Sequence, residues 1–328
     1  MAKKVVVIGG GTGTFTVLSS LANKSYDLSA LLTMVDDGGS NKVLRDEFGL
    51  LPTSGVRLAM VALSSEPSLL RELFTYRFSK GAGISGMTFG NLFLAAVADI
   101  VGSQEKAIEA TNKLLSVKGE IIPISYGDVK LVAEFENGLK VVGEHEIDEP
   151  QHDGKLRIKK LTTEPMARIN PRAEREILTA DVIILGPGDF YTNTIANLVI
   201  EGVVPAILKS KAKVIFITNL MSKYGEAYNY KVSDYITDLG EYMPIERLDV
   251  ILINNDTNYP ERAVKKYETE HSIPVVDDLE STINKIKIVR APLVLKREYK
   301  AQKGDILKRS MIRHSKKRLG EELQKIIG

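Results

Sequence analysis

Short apolar runs alternate with helical patterns along most of this chain. Residues 5–8 (VVVI) form a β-branched run that stops at glycines, and residues 14–21 then carry apolar side chains at near-helical spacing. A second apolar run, residues 28–35, ends at the acidic loop 36–40 (DDGGS). This order is typical of a βαβ unit, in which both loops lie at the carboxyl ends of parallel strands.

The middle of the chain changes its pattern twice. Residues 56–78 and 88–117 place apolar residues at helical spacing and predict helices, with a glycine-rich loop at 81–90 between them. The range 121–161 then reads as short strands, including a hairpin around Asn137-Gly138. We therefore expect a β-rich insertion at residues 118–165.

The α/β alternation resumes after residue 170. The remaining elements predicted are a helix at 171–179, a strand at 181–185, a helix containing 195–200, strands at 214–218, 250–253 and 274–276, and a closing amphipathic helix at 319–327. A basic C-terminal tail and helix occupy residues 296–328. The whole pattern predicts one α/β domain over residues 1–328, a Rossmann-like fold with a mainly parallel sheet flanked by helices and a small β-rich insertion.

Composition narrows the classes of function. The chain has 328 residues, 44% hydrophobic and 26% charged, and no cysteine, which excludes a disulfide scaffold and a thiolate metal site. A net charge of +2 makes nucleic acid an unlikely partner, and we interpret the basic residues of the tail, such as Lys308 and Arg309, as a solvated helix face. No apolar run approaches the roughly 18–20 residues of a membrane span, so we expect a soluble protein, and a homo-oligomer is compatible with the sequence.

The first glycine loop has the composition of a phosphate site. In this loop, glycines allow successive backbone N–H groups to point at an anion while the next helix contributes its positive end; its residues are Gly10, Gly11, Thr12, Gly13 and Thr14. The alternative is a tight turn that only lets the helix pack on the sheet. The loop lacks the lysine of a Walker A motif and the third glycine of a dinucleotide fingerprint, although Asp36 stands where an acid could bind ribose.

The acidic loop and a second glycine turn are further candidates. Asp36 and Asp37, followed by Gly38, Gly39 and Ser40, could hold Mg²⁺, bind sugar hydroxyls or position a nucleophile; the alternative is a solvated acidic turn. No other cofactor is indicated. The second turn follows the strand at 181–185 and opens a helix whose N–H groups could contact the same ligand; its residues are Gly186, Pro187, Gly188 and Asp189. Asn91 and Asn219 could face the same crevice, or could be cap and turn residues.

Taken together, the motifs resemble one family, the gluconeogenesis factor (YvcK-like) proteins, within the superfamily that includes 2-phospho-L-lactate transferase (CofD-like). The resemblance extends in the family's order across nearly the whole chain. It is carried by residues 8–13 (IGGGTG), 35–40 (VDDGGS), 73–78 (LFTYRF), 90–96 (GNLFLAA), 185–192 (LGPGDFYT), 219–221 (NLM) and 312–314 (IRH).

The resemblance implies a cytoplasmic protein that binds a UDP-sugar, such as UDP-N-acetylglucosamine or UDP-glucose, and supports cell-wall synthesis and cell shape during gluconeogenic growth. It assigns ligand contacts to the two glycine loops, the acidic loop, Asn91 and Asn219, and adds Tyr267 and Arg313. In the related transferase branch, the same loops serve a guanine nucleotide substrate with Mg²⁺. A Mg²⁺-dependent transferase acting on a nucleotide-diphosphate-linked donor, with Asp36 and Asp37 as catalytic candidates, is therefore the alternative function.

Three departures from the family pattern favour binding over catalysis. Residues 53–57 read TSGVR where the family has PGDIR, Tyr235 replaces a histidine, and Ser315 replaces an aspartate. These changes remove two acids and a histidine that could act as acid, base or metal ligand, whereas the backbone N–H groups of the loops remain. A third hypothesis, an NAD-dependent dehydrogenase, lacks an evident catalytic base.

Overall fold

A parallel sheet dominates the computed structural model, which describes residues 2–66, 68–280, 282–283, 285–296 and 311–328. The strands are, in chain order, β1 (Lys3–Gly9), β2 (Tyr26–Leu32), β3 (Glu120–Pro123), β4 (Lys130–Phe135), β5 (Lys140–Val142), β6 (Ile158–Glu164), β7 (Val182–Leu185), β8 (Lys213–Ile217), β9 (Val250–Asn254), β10 (Thr282–Ile283) and β11 (Ile286–Ala291). Within these residues, eight strands form one sheet in the order β10-β11-β9-β8-β7-β1-β2-β3, and every neighbouring pair is parallel except β10–β11.

Helices cover both faces of this sheet. They are α1 (Gly11–Leu21), α2 (Gly39–Phe48), α3 (Ser54–Leu63), α4 (Ser68–Thr75), α5 (Phe89–Val101), α6 (Gln104–Leu114), α7 (Glu144–Asp148), α8 (Pro171–Thr179), α9 (Ala196–Leu198), α10 (Val203–Lys209), α11 (Val232–Gly240), α12 (Glu261–Thr269) and α13 (Lys316–Ile327). A π-helix, Phe190–Ile195, directly precedes α9. The predicted Rossmann-like α/β class is confirmed.

Alternation along β1 divides the core into two layers. Val5 and Val7 pack with α1, α3 and α13, whereas Val6 and Ile8 pack with α8, α10 and the small sheet on the other face. Both faces of a central parallel strand are buried, which explains why its sequence is a continuous apolar run rather than an alternating one. The small sheet, in the order β5-β4-β6, is antiparallel and confirms the predicted β-rich insertion.

Two predicted helices are each divided in two. The range 56–78 breaks after α3, where Ser64 donates its hydroxyl to the Leu115 carbonyl and forms a bridge with Val117. The range 88–117 breaks at Gly102, whose φ of 67° ends α5 in the left-handed conformation. The apolar periodicity continues through both breaks because the two helices on either side of each break bury apolar side chains in the same core layer.

The strand predicted at 274–276 is wrong. Pro274 forms only an isolated bridge with Met221, while Val275 N–H donates to the Leu220 carbonyl and the Val276 carbonyl accepts from Val232 N–H. The place beside β9 is taken by β11, in which charged residues interrupt the apolar pattern.

Across the described residues, none of the helices combines the length and the apolar character that crossing a bilayer would require. Residues 297–310, which include Lys308 and Arg309 of the predicted basic tail, lie outside the described residues.

Candidate functional site

The carboxyl ends of β1 and β7 lie side by side at the centre of the large sheet. From β1 the chain enters α1 on one face, and from β7 it enters the π-helix on the opposite face. Such a divergence of two connections opens a crevice at the sheet edge, where open α/β folds bind ligands.

A cavity of about 540 Å³ occupies this crevice. Its volume is in the range of small-molecule sites, roughly 300–1,000 Å³. Several loops supply its lining, which comprises Gly10–Gly13 with Thr16, Asp148–Gln151, Pro187–Asp189 with Asn193, Asn219–Tyr224, Tyr267 with Thr269–Ser272, and Ile312–His314.

The start of α1 faces this cavity without a protein cap. Gly10 is the N-cap residue and makes no side-chain cap hydrogen bond, and the first turn of α1 contains no acidic residue. Gly11 has a φ of 60°, a conformation that favours glycine. A Cβ on Gly13 would lie 2.0 Å from the Pro187 carbonyl oxygen, so this position must be glycine for the two loops to touch. The first-turn N–H groups and the positive end of the helix dipole therefore have the chemistry that an anion site requires.

The start of the π-helix is closed by a protein carboxylate. Glu226 accepts hydrogen bonds from the backbone N–H groups of Tyr191 (2.7 Å) and Thr192 (3.1 Å), and from the Thr192 hydroxyl (2.8 Å). Contrary to expectation, these two N–H groups are not available to a ligand. The Glu226 side chain is fully buried, and burial raises its pKa to about 7, against the opposing charge of Lys223.

Carboxylates extend from Glu226 toward the acidic loop. Asp148 and Asp189 lie beside Glu226, and the three share the ammonium of Lys223. Burial raises the pKa of Glu144 well above its ordinary value, and the charges of Asp36 and Asp148 raise it further. Burial likewise raises the pKa of Asp36 to about 6. This side of the cavity is therefore strongly acidic and contains carboxyl groups that can carry protons near neutral pH.

The acidic loop is anchored by its own hydrogen bonds. Asp36 accepts from Gly38 N–H (3.0 Å) and from the Asn41 amide (2.6 Å), and Asp37 accepts from His145 N–H (2.9 Å). Neither carboxylate belongs to the cavity lining. For Gly39 and Ser40 the structure describes only the backbone, which begins α2.

The structure brings ten of the predicted residues to the cavity. They are Gly10, Gly11, Thr12, Gly13, Pro187, Gly188, Asp189, Asn219, Tyr267 and Arg313. Thr14, Gly38, Gly186 and Asn91 are not part of its lining. Asn91 is fully buried in α5, where it accepts from Arg57 Nε (2.9 Å) and donates to the Ser54 hydroxyl (3.2 Å), so it acts there as a packing residue.

Sequence reasoning missed several residues at the cavity. Asn193 contacts both glycine loops, since its Oδ1 lies 2.1 Å from where a Cβ of Gly10 would stand and its Cβ lies 3.1 Å from where a Cβ of Gly188 would stand. Lys223 and Glu226 lie in an irregular segment after β8. Periodicity carries no signal for such residues, because their other partners, Tyr191 and Asp148, are more than 30 residues away in the chain.

His314 is the last of the three residues near the C-terminus that line the cavity. The residue forms an isolated antiparallel β-bridge with Val294 and is 8% exposed. Its Nε2 atom has no hydrogen-bond partner among the described residues. Burial lowers its pKa to about 4, against a hydrogen bond with the Thr218 backbone. The imidazole is therefore neutral at physiological pH.

A family comparison identifies this arrangement of loops. The model of the family described as "2-phospho-L-lactate transferase CofD" matches residues 5–294. The chain belongs to the CofD family. Within it, the relatives are gluconeogenesis factors: one from Bacillus subtilis is 36% identical over 84% of this chain and 86% of its own length, and a "Putative gluconeogenesis factor" from Thermoanaerobacterium thermosulfurigenes is 35% identical over 99% and 97%. The predicted family membership is confirmed.

Solved structures of this branch of the CofD family have the same fold. A crystal structure of a protein from Bacillus halodurans, described as a member of the UPF0052 family, superposes with a TM-score of 0.88 at 31% identity over 99% of each chain. A "Putative gluconeogenesis factor" from a Nostoc species is 40% identical over 85% of this chain. That match covers 60% of the length of the Nostoc protein, which is less than two thirds.

Proposed function

We propose that this protein binds a UDP-sugar, such as UDP-N-acetylglucosamine or UDP-glucose, in the cavity between β1 and β7. In the cell, this binding supports cell-wall synthesis and cell shape during gluconeogenic growth. The observation that carries the proposal is the uncapped start of α1, which opens into the cavity beside a second helix start that Glu226 already closes.

The diphosphate belongs at the glycine loop. Two helix starts meet at the cavity, but only the start of α1 lacks a carboxylate partner, so an anionic ligand group gains hydrogen bonds there. A phosphate at the closed helix start would find no free N–H groups there, because Glu226 accepts from both. The two helix starts therefore differ in the donors they offer, which sets the direction of the ligand.

The nucleoside and sugar would contact the walls farther along the cavity. Tyr267 offers an aromatic ring, and its hydroxyl accepts from Met311 N–H (3.1 Å), which ties α12 to the segment that carries Arg313 and His314. The Asn219 amide donates to the Gly188 carbonyl (2.7 Å) and holds the second glycine turn against the end of β8. These residues combine an apolar surface with a few fixed polar groups, as nucleotide sites do.

The proposal is tested by a pair of variants at Thr12, in the first turn of α1. Thr12→Glu places a carboxylate at the helix start, where the dipole stabilises it, but it repels a diphosphate. Thr12→Gln has a side chain of similar size without the charge. We expect calorimetry to show saturable UDP-sugar binding by the wild type and by Thr12→Gln, and at least about a tenfold weaker affinity for Thr12→Glu.

A thermal-shift series on the same proteins provides the second readout. A ligand that binds only the folded state raises its apparent stability. The absence of any shift in the wild type with UDP-sugars at millimolar concentration would show that the proposal is wrong. Equal affinities of the Thr12→Glu and Thr12→Gln proteins for the UDP-sugar would show that the diphosphate does not bind at the start of α1.

A Mg²⁺-dependent transferase is the second candidate, and the family match supports it. The raised pKa of Asp36 suits a proton-transferring group. Such an enzyme would release a nucleoside monophosphate from a diphosphate-linked donor, and this release would disappear in Asp37→Asn. Release that is unaffected by Asp37→Asn, or absent with every donor and acceptor pair tested, would exclude this mechanism.

A further inference from the structure

Three carboxylates at the cavity wall have the arrangement of a cation site. Asp148, Asp189 and Glu226 each place an oxygen within 4.8 Å of the others, and they form the one group of three such ligands found among the described residues. The centre of this group is held by the Lys223 ammonium, which contacts Asp148 and lies 3.0 Å from Asp189 Oδ2 and 3.6 Å from Glu226 Oε1.

The residues present do not fit Mg²⁺. This ion needs several oxygen ligands at about 2.0–2.1 Å in octahedral geometry, and an ammonium at the same point excludes a second cation by charge and by volume. Asp36 and Asp37 belong neither to this group of three nor to the lining of the cavity. Desolvation alone would lower the pKa of Lys223, but the three carboxylates raise it well above its ordinary value. The lysine is therefore permanently charged.

We infer that Lys223 is a built-in substitute for a divalent cation, and that this protein binds a diphosphate-containing ligand without a metal at this wall. The second half of the inference rests on the proposed UDP-sugar function.

The physical argument is the charge balance of the wall. Without Lys223, the carboxylates of Asp148 and Asp189 would face the cavity that receives the diphosphate, with Glu226 buried behind them. The Lys223 side chain is 28% exposed and lines the cavity, so its charge reduces the repulsion on the ligand side while Glu226 holds it from the buried side. A lysine in this position does for the ligand what a bound cation does in many phosphate sites.

The geometry also fixes the lysine in place. The backbone N–H of Lys223 donates to the Ala227 carbonyl (3.3 Å). Glu226, three residues later in the chain, accepts a hydrogen bond from the start of the π-helix. The ammonium is thus held by one buried and two partly exposed carboxylates, and it cannot leave without exposing all three charges.

The experiment compares the wild type with Lys223→Met, which removes the charge but keeps an unbranched side chain, and with Lys223→Arg, which keeps the charge. The first probe is Mn²⁺ alone, followed by electron paramagnetic resonance. We expect Lys223→Met to bind Mn²⁺ at least about tenfold more tightly than the wild type and Lys223→Arg, because the emptied carboxylates become ligands. Equal Mn²⁺ binding by the wild type and Lys223→Met would overturn the inference.

The second probe is UDP-N-acetylglucosamine, measured by calorimetry with EDTA and again with millimolar Mg²⁺. The wild type should bind equally in both buffers, whereas Lys223→Met should bind at least about tenfold more weakly with EDTA and recover with Mg²⁺. A wild type that binds only with Mg²⁺ contradicts the inference. If no UDP-sugar binds in either buffer, the proposed function fails, and the Mn²⁺ measurement still decides the role of Lys223. If Lys223→Met does not fold, Lys223→Gln takes its place.

Discussion

Two strand–glycine–helix units lie side by side in this protein, and they use the same local design for opposite purposes. The unit of β1 and α1 leaves its helix start open to the cavity, whereas the unit of β7 and the π-helix has its helix start closed by Glu226. A glycine turn after a strand shows where backbone donors will be. It does not show whether another part of the chain has already taken them.

The two units differ in the role that we propose for each: one binds the ligand, and the other supports the binding site. Glu226 is buried, and its hydrogen bonds fix the start of the π-helix, which directly follows the turn at 186–189. The open start of α1 contacts this turn through Gly13 and Pro187. One unit therefore provides the anion site that we propose, and the other provides its support.

The largest effect is expected where the two units touch. In Gly13→Ala, the new Cβ meets the backbone carbonyl of Pro187 at 2.0 Å, and backbone on both sides must move. We expect a loss of about 4 kcal/mol in the free energy of unfolding, measured by urea denaturation.

Gly55→Ala is the matched control for this variant. Gly55 also lies in the first turn of a helix, α3, but a Cβ there has no heavy atom within 4 Å. The control should be neutral or more stable by up to about 1 kcal/mol, because alanine favours helix over glycine. If the two variants unfold at the same urea concentration, the contact between the loops is not a tight one.

The next largest effect is expected from opening the closed helix start. Glu226→Ala removes the acceptor of two buried backbone N–H groups and a partner of Lys223, and should cost about 3 kcal/mol. Glu226→Gln retains one acceptor oxygen and should cost about half of that. Thermal unfolding of the two variants checks the order, and an alanine variant as stable as the wild type would show that the cap contributes nothing.

The smallest effect is a pH dependence from the same group. The ordinary pKa of glutamate is 4.5, and that of Glu226 is raised to about 7, so between these values the folded chain holds a proton that the unfolded chain has lost. The contribution of this proton to the free energy of unfolding is complete below pH 4.5 and is lost as the pH rises from there through about 7. We expect the wild type to lose roughly 2–3 kcal/mol more than Glu226→Gln on going from about pH 5 to pH 8. Parallel stability curves for the two proteins would contradict the raised pKa.

Local patterns were sufficient for much of the fold and for the position of the first glycine loop at the cavity. The runs at β1 and β7 predict parallel strands because both faces of a central strand are buried, and the glycine loop after β1 predicts an anion site because its donors are backbone atoms. They were insufficient at 274–276, where three apolar residues bond to a loop and a helix instead of joining the sheet.

The sequence by itself determined the α/β class, the strands and helices that flank the two glycine turns, and the family, because each depends on residues close together in the chain or on the order of its motifs. Tertiary structure alone decided which helix start stays open, which acids share Lys223, and that Asn91 is buried with Arg57 rather than lining the cavity. Apart from the Lys223–Glu226 pair, these outcomes depend on contacts between residues more than 30 positions apart, and periodicity, which reports only which face of an element is buried, carries no information about them.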